Sequence, residues 1–232
     1  MIDRKFDDFD NFAENYREIH NKNIKISGSD SDYFTSHKLE IIKNCSKFDN
    51  INFLDFGCGD GNTETFFYNF YPNSVYNGID ISSKSIEIAI NKKKTSSNFN
   101  VFNGEKIPYN DNTFDIILAA NVFHHIDFKI HKQLFSEIYR VLKPSGHFFL
   151  FEHNPFNPFT RYIVNTCPFD IDAKLLYPIY SQKALKLEDF SSIKTNYILF
   201  FPRISFFKFL FKLEKKLYKL PLGAQYYIKC IK

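Results

Sequence analysis

The feature that most constrains this chain is the run Asn52-Phe-Leu-Asp-Phe-Gly-Cys-Gly-Asp-Gly61. Phe53, Leu54 and Phe56 make a short apolar stretch that predicts a buried strand. It stops at glycines on alternate positions, Gly57, Gly59 and Gly61, and Asn62 to Tyr71 has helical character. Strand, glycine turn and helix open a nucleotide-binding α/β unit, because glycine lets the backbone turn sharply and approach a ligand closely. The helix start directs its free N–H groups and positive dipole end toward the turn. The spacing is Gly-x-Gly-x-Gly, unlike the Gly-x-Gly-x-x-Gly of dinucleotide folds, and no lysine follows it as in a phosphate-cradling loop.

Further along, Val75 to Asp80 reads as a strand ending in an acid, and Ser82-Ser83 as caps of a helix running to about Lys92. Asp80 lies 21 residues beyond Gly59, where a carboxylate accepts hydrogen bonds from ribose hydroxyls. Lys92 to Asn98 reads as a solvated loop and Phe99 to Phe102 as a third strand. Phe114 to Val122 is nearly all apolar, fitting a central parallel strand buried on both faces. It runs into Phe123-His124-His125-Ile126 at the strand edge where ligands sit in open α/β sheets. Asp127 predicts a cap for a helix with the stripe Ile130, Leu134, Ile138, Val141 and Leu142. Lys143-Pro-Ser-Gly146 supplies its stop signals, and Phe148 to Glu152 the next strand.

Three segments carry a family resemblance: Leu54 to Gly61, Asn103-Gly-Glu-Lys-Ile-Pro-Tyr-Asn-Asp-Asn-Thr-Phe-Asp115, and Glu137-Ile-Tyr-Arg-Val-Leu-Lys-Pro-Ser-Gly146. Together they resemble the class I S-adenosylmethionine (SAM) methyltransferases, in the small-molecule branch of types 11 and 12. The resemblance runs from the glycine turn to Glu152. It implies SAM as cofactor, with S-adenosylhomocysteine as product. It also implies an α/β fold: a Rossmann-like seven-stranded, mostly parallel sheet with an antiparallel last strand and helices on both faces. Carried onto this chain, the cofactor residues are Asp55, Gly57, Cys58, Gly59 and Gly61, then Asp80 and Ile81, then Asn103, Gly104 and Glu105, with Asn121 and Val122. An Asp is usual in the family where Asn103 stands; the amide carbonyl can still accept from the adenine amino group, with one charge fewer.

The chain reads as one domain: a helical lid at 1–45, a SAM-binding core at 46–154, and a substrate cap with an insert helix and the final strands at 155–232. In the lid, Phe9, Phe12, Tyr16 and Ile19 form an amphipathic face. Ser27 to Ser31 breaks it, and Tyr33 to Lys43 is helical, with His37 and Lys38 as candidates for the ligand's carboxylate. Glu152 to Arg161 is turn-rich and overhangs the pocket. Ser181 to Asp189 reads as a helix, Lys194 to Phe201 as a strand and Ala224 to Ile231 as the last strand. Between those strands Ile204 to Leu220 reads as a basic, strongly apolar amphipathic helix, either a cap on the pocket or a membrane-surface helix.

Methyl transfer to an alcohol or phenol requires alignment and removal of a proton. The candidate bases are His125, His124 and His153, with Glu152 as a further base or as an orienter; histidine titrates near neutrality. His131 and His147 read as structural, and the histidines lack an HxxxH spacing, so no metal is expected. A net charge of +4 without clustered recognition residues does not indicate nucleic acid. Cys45, Cys58, Cys167 and Cys230 are far apart, as in a reduced, cytoplasmic protein. The N-terminus shows no secretory signal, and no apolar run approaches the roughly 20 residues of a membrane span. The favoured function is O-methylation of a small-molecule or sugar-type acceptor. Glu152 to Asp172 and Leu220 to Tyr227 also resemble a bacterial branch tied to surface polysaccharides, and secondary metabolites are a further pathway class. The alternatives are an isoprenoid-quinone or lipid C- or O-methyltransferase at the membrane surface, and a non-catalytic SAM-binding partner subunit.

Overall fold

The computed structural model describes residues 21–93, 96–168, 170 and 172–232. The expected face of Phe9, Phe12, Tyr16 and Ile19 lies outside the described residues. The elements run α1 (Ser31–Cys45), β1 (Asn52–Phe56), α2 (Asn62–Phe70), β2 (Val75–Asp80), α3 (Ser83–Lys92), β3 (Asn98–Val101), β4 (Phe114–Ala120), α4 (Phe128–Val141) and β5 (Leu142–His153). They continue with α5 (Pro158–Thr166), α6 (Pro178–Leu187), β6 (Ser191–Ile198), α7 (Phe211–Leu217) and β7 (Gln225–Ile231).

The strands form one sheet in the order β3-β2-β1-β4-β5-β7-β6. Only β7 runs antiparallel to its neighbours. From β1 the chain steps outward to β2 and β3, then returns to place β4 on the other side of β1. The order therefore reverses between β1 and β4, and the crevice beyond their carboxyl ends is where such sheets bind ligands.

Both faces of the sheet are covered. One core joins Phe53, Tyr76, Ile116 and Phe149 to Leu39 and Ile42 of α1, Phe67 of α2 and Ile86 of α3. The other joins Leu54, Ile79, Ile117 and Phe148 to Leu134, Phe135 and Ile138 of α4 and Leu185 of α6. Successive apolar residues of β1 and β4 feed opposite cores, which is why those strands are apolar apart from Asn52, Asp55 and Asp115. Leu134, Phe135, Ile138 and Val141 of α4 are all buried, each contributing about 1.5–3 kcal/mol. Asp127 caps this helix as expected, accepting from the Lys129 N–H, and Ser82 caps α3 through the Ser85 N–H.

Four boundaries differ from the sequence expectation. The stop signals at 143–146 do not leave a gap, since β5 starts at Leu142. Pro144 is absorbed where the β4–β5 register shifts between Phe114 and Ile116, a bulge that spares the missing N–H. α6 starts at Pro178, since proline is pre-set for a first helical turn. β6 ends at Ile198 because Leu199 is left-handed (φ 61°) and the N–H groups of Phe200 and Phe201 donate to Glu214. The insert is not one helix: a 3₁₀ segment at Ser205–Leu210 precedes α7. Glu214 also accepts from Arg203, 2.6 Å away, and the Arg203 guanidinium lies 4.3 Å from the centre of the Phe211 ring. These contacts fold the insert back on the chain leading into it.

Candidate active site

The glycine turn is built as its spacing implies. The N–H groups of Gly57 and Cys58 both donate to the Ile79 carbonyl, at 2.8 and 3.0 Å, fastening the turn to β2. Gly57 is left-handed (φ 77°), and a Cβ there would sit 2.4 Å from Val122 Cγ2, so only glycine fits. Gly59 (φ 52°) differs: a Cβ added there meets nothing within 4 Å and would project into open space. Asp80 holds the turn from the next strand, its two oxygens accepting from the N–H groups of Gly59 and Ser82, each at 2.9 Å.

That open space is a cavity of about 970 Å³, near the top of the roughly 300–1,000 Å³ range of ligand sites, with room for a cofactor and a second molecule. Asp55, Gly57, Cys58, Gly59, Asp80, Ile81, Asn103, Gly104, Glu105, Asn121 and Val122 all line it. Gly61 does not; it packs against Ala89 and Phe99 where α2 meets α3. Asn103 lies on the wall, but its amide oxygen already accepts from the N–H groups of Glu105 and Lys106, at 3.0 and 3.1 Å. Its side-chain carbonyl therefore shapes the loop, and Gly104 and Glu105 continue the wall beside it.

Lys38 projects from α1 into the same cavity, whereas His37 does not line it. His37 stacks on Tyr33 and lies 3.4 Å from Glu40, so it is not placed as a carboxylate partner. Burial pushes Lys38 down to about 8, with the charges of Asp55 and Glu152 opposing. Burial raises Asp55 to about 6, although hydrogen bonds from Tyr76 and Thr63 favour its charged form. Asn62 ties α2 to α1 through Thr35, at 3.0 Å, and Phe34, Thr35 and Lys38 of α1 line the same cavity. Among the described residues, the side-chain oxygens of Asn62, Asn121 and Gln225 are buried without a hydrogen-bond partner, and all three residues border the cavity.

The expected bases separate into two pairs. His125 and His153 line the cavity. His124 and Glu152 lie behind it, 2 % and 0 % exposed. Glu152 accepts from the Phe123 N–H at 2.9 Å and contacts His124 Nδ1 at 2.6 Å, fixing the turn that carries both histidines. Asp170, which no sequence pattern singles out, lies 3.5 Å from His124 Nε2 and 3.4 Å from His125 Nε2. Burial disfavours a charged His124, but Glu152 and Asp170 outweigh it and hold the imidazole up at about 9. Burial would also raise Asp170, yet His124, His153 and His125 bring it down to about 2. His124, His125 and Asp170 are the described residues whose donor atoms could converge on a metal, all within 4.8 Å. The pairing of His124 with two carboxylates makes the cluster an ion-pair network around an imidazolium. His131 and His147 are structural as expected: His131 contacts the Phe123 and Ile126 carbonyls and Tyr180, and burial lowers both histidines.

Residues 54–150 match a family described as Methyltransferase domain. The chain is 30% identical over 157 residues to malonyl-[acyl-carrier protein] O-methyltransferase 1 of Ilyobacter polytropus, a match covering 67% of this chain and 55% of that one. It is 30% identical over 161 residues to a demethylmenaquinone methyltransferase of Symbiobacterium thermophilum, covering 67% and 60%. Its fold is similar to a solved SAM-dependent methyltransferase of Thermotoga maritima, described as a possible histamine N-methyltransferase, with TM-score 0.69 at 17% identity over 98% and 99% of the chains. The chain thus spans 55–60% of the length of these two curated relatives. It carries a class I SAM-dependent methyltransferase domain, and its cofactor is SAM. The cavity fits that group: an unobstructed approach at Gly59, an acid at Asp80 and a cation at Lys38 suit a nucleoside joined to an amino acid.

Proposed function

We propose that this protein transfers the SAM methyl group to a hydroxyl of a small acceptor, with His125 taking the proton. The observation that carries this is the continuity of one cavity from the glycine turn to His125 and His153. When bound, SAM supplies an electrophilic methyl on a sulfonium. The residues of this chain do the rest. Gly57 to Gly59 and Asp80 would hold the nucleoside, and Lys38 would pair with the carboxylate of the amino-acid end. Phe34 and Thr35 of α1 exclude water from above. His125, in the turn that follows β4 and on the cavity wall, would accept the hydroxyl proton as the methyl–sulfur bond breaks and the C–O bond forms, with S-adenosylhomocysteine as the leaving group. Asp170 beside it stabilises the resulting imidazolium, while Glu152 and His124 hold the turn in place. His153 is the neighbouring polar group on the acceptor side. The malonyl-[acyl-carrier protein] relative is named an O-methyltransferase, which is in keeping with oxygen as the methylated atom, although a malonyl group offers a carboxylate and the demethylmenaquinone relative's name specifies no oxygen.

The test follows tritiated SAM into metabolites extracted from the source cells. Wild type is expected to label one class of acceptor. His125→Gln should lower turnover by about 10²–10⁴-fold while leaving SAM affinity intact. SAM binding without transfer to any extract would instead favour a non-catalytic SAM-binding subunit.

A further inference from the structure

The insert at 204–222, which follows the cavity-lining segment Phe200 to Arg203, leaves its own apolar residues in solvent. Phe206 is 73% and Phe209 70% exposed, three residues apart in a 3₁₀ segment, and so share one face. Leu213 on α7 extends this stripe, and Leu222 beyond it is 65% exposed. Lys208, Lys212, Lys215, Lys216 and Lys219 are exposed on the same segment. Its one acid, Glu214, is consumed by Arg203 and the backbone of Phe200 and Phe201. The patch therefore combines protruding aromatics with uncompensated positive charge. It also adjoins the acceptor end of the cavity: Phe200 to Arg203 line that cavity, and Asn157 on its rim donates to the Leu222 carbonyl at 2.8 Å. Aromatics beside lysines suit the interface of an anionic bilayer, where rings enter the headgroup layer and lysines meet lipid phosphates.

We propose that residues 204–222 dock on an anionic lipid surface and present the cavity mouth to an acceptor whose apolar tail keeps it in the bilayer. The acceptor part of this proposal rests on the methyltransferase reading; the docking part does not. The experiment is flotation of the full chain with vesicles of phosphatidylcholine alone and of phosphatidylcholine mixed with phosphatidylglycerol. Binding to the mixed vesicles is expected, falling with added salt and by about fivefold for each lysine changed to glutamine. Phe206→Ser/Phe209→Ser is expected to bind at least tenfold more weakly while keeping the wild-type thermal shift with SAM, which shows that the domain is folded. No binding to the mixed vesicles, or equal binding by the double variant, overturns the proposal. So does a wild-type dimer that the double variant converts to monomer, since the patch would then serve a second copy of the chain. Loss of the SAM shift in wild type would overturn the methyltransferase reading alone and leave the vesicle result standing.

Discussion

The two ends of the cavity are held by different means. At the cofactor end the walls are backbone: left-handed glycines, two N–H groups fastened to Ile79, and a carboxylate locked onto the turn it supports. At the acceptor end the walls are side chains on short segments, with Arg203 and Glu214 as a partly buried pair joining Phe200 to α7. A backbone-built site tolerates little change and suits a ligand that is always the same. A side-chain-built roof can be rebuilt without disturbing the sheet, which suits the part that selects an acceptor.

Gly57→Ala is the strongest way to break this contrast. The left-handed conformation costs roughly 1–2 kcal/mol and the contact with Val122 about 1–3 kcal/mol more. A fall in melting temperature on the order of 10 °C is expected for a chain of this size, together with loss of the SAM-induced shift. In wild type that shift should be several degrees, since ligand at 100 times Kd adds about 2.7 kcal/mol. A Gly57→Ala protein that still binds SAM as wild type does would show that the turn yields more than its contacts imply.

Glu214→Gln probes the other end. The amide keeps one acceptor but loses the charge that meets Arg203, at a cost of about 1.5–3 kcal/mol. Thermal unfolding should register that loss while the Kd for SAM stays within about twofold. A large change in SAM affinity would mean that the roof and the glycine turn act as one unit, erasing the distinction drawn above.

The same contrast explains what could be read from the chain. Gly57, Asp80 and the β4 run were legible because local rules suffice: a φ only glycine tolerates, an acid at a strand end, an apolar stretch long enough for a buried strand. The two cavity-lining histidines were legible through their position after strands. Asp170 was not, because it reaches His125 only through tertiary folding and stands in no motif. Gly61 and His37 mislead for a related reason: each belongs to the right segment but faces a neighbouring helix or ring. The end of β6 and the broken insert depend on Glu214 reaching back along the chain, a contact no periodicity reports. Asn103 falls between these cases, its position being legible but its carbonyl already engaged by the loop.

Lys38 lies where the two ends meet, on the lid above the glycine turn, and predicts a smaller effect. Burial holds it at about 8 against the usual 10.5, so in the free protein it carries its charge below pH 8 and loses it above. Pairing with the cofactor's carboxylate would favour the charged form, so binding above pH 8 must take up a proton. SAM affinity should then fall about tenfold per pH unit, near 1.4 kcal/mol, until the pH passes the pKa of the bound state. The ligand's own amino group titrates near 7.7–8.0, but it does so alike against any variant. The informative quantity is therefore the difference between wild type and Lys38→Met. The variant is expected to bind more weakly at pH 7 and to lose the additional slope above pH 8. Parallel profiles would remove Lys38 from the cofactor site and leave the lid as a cover alone.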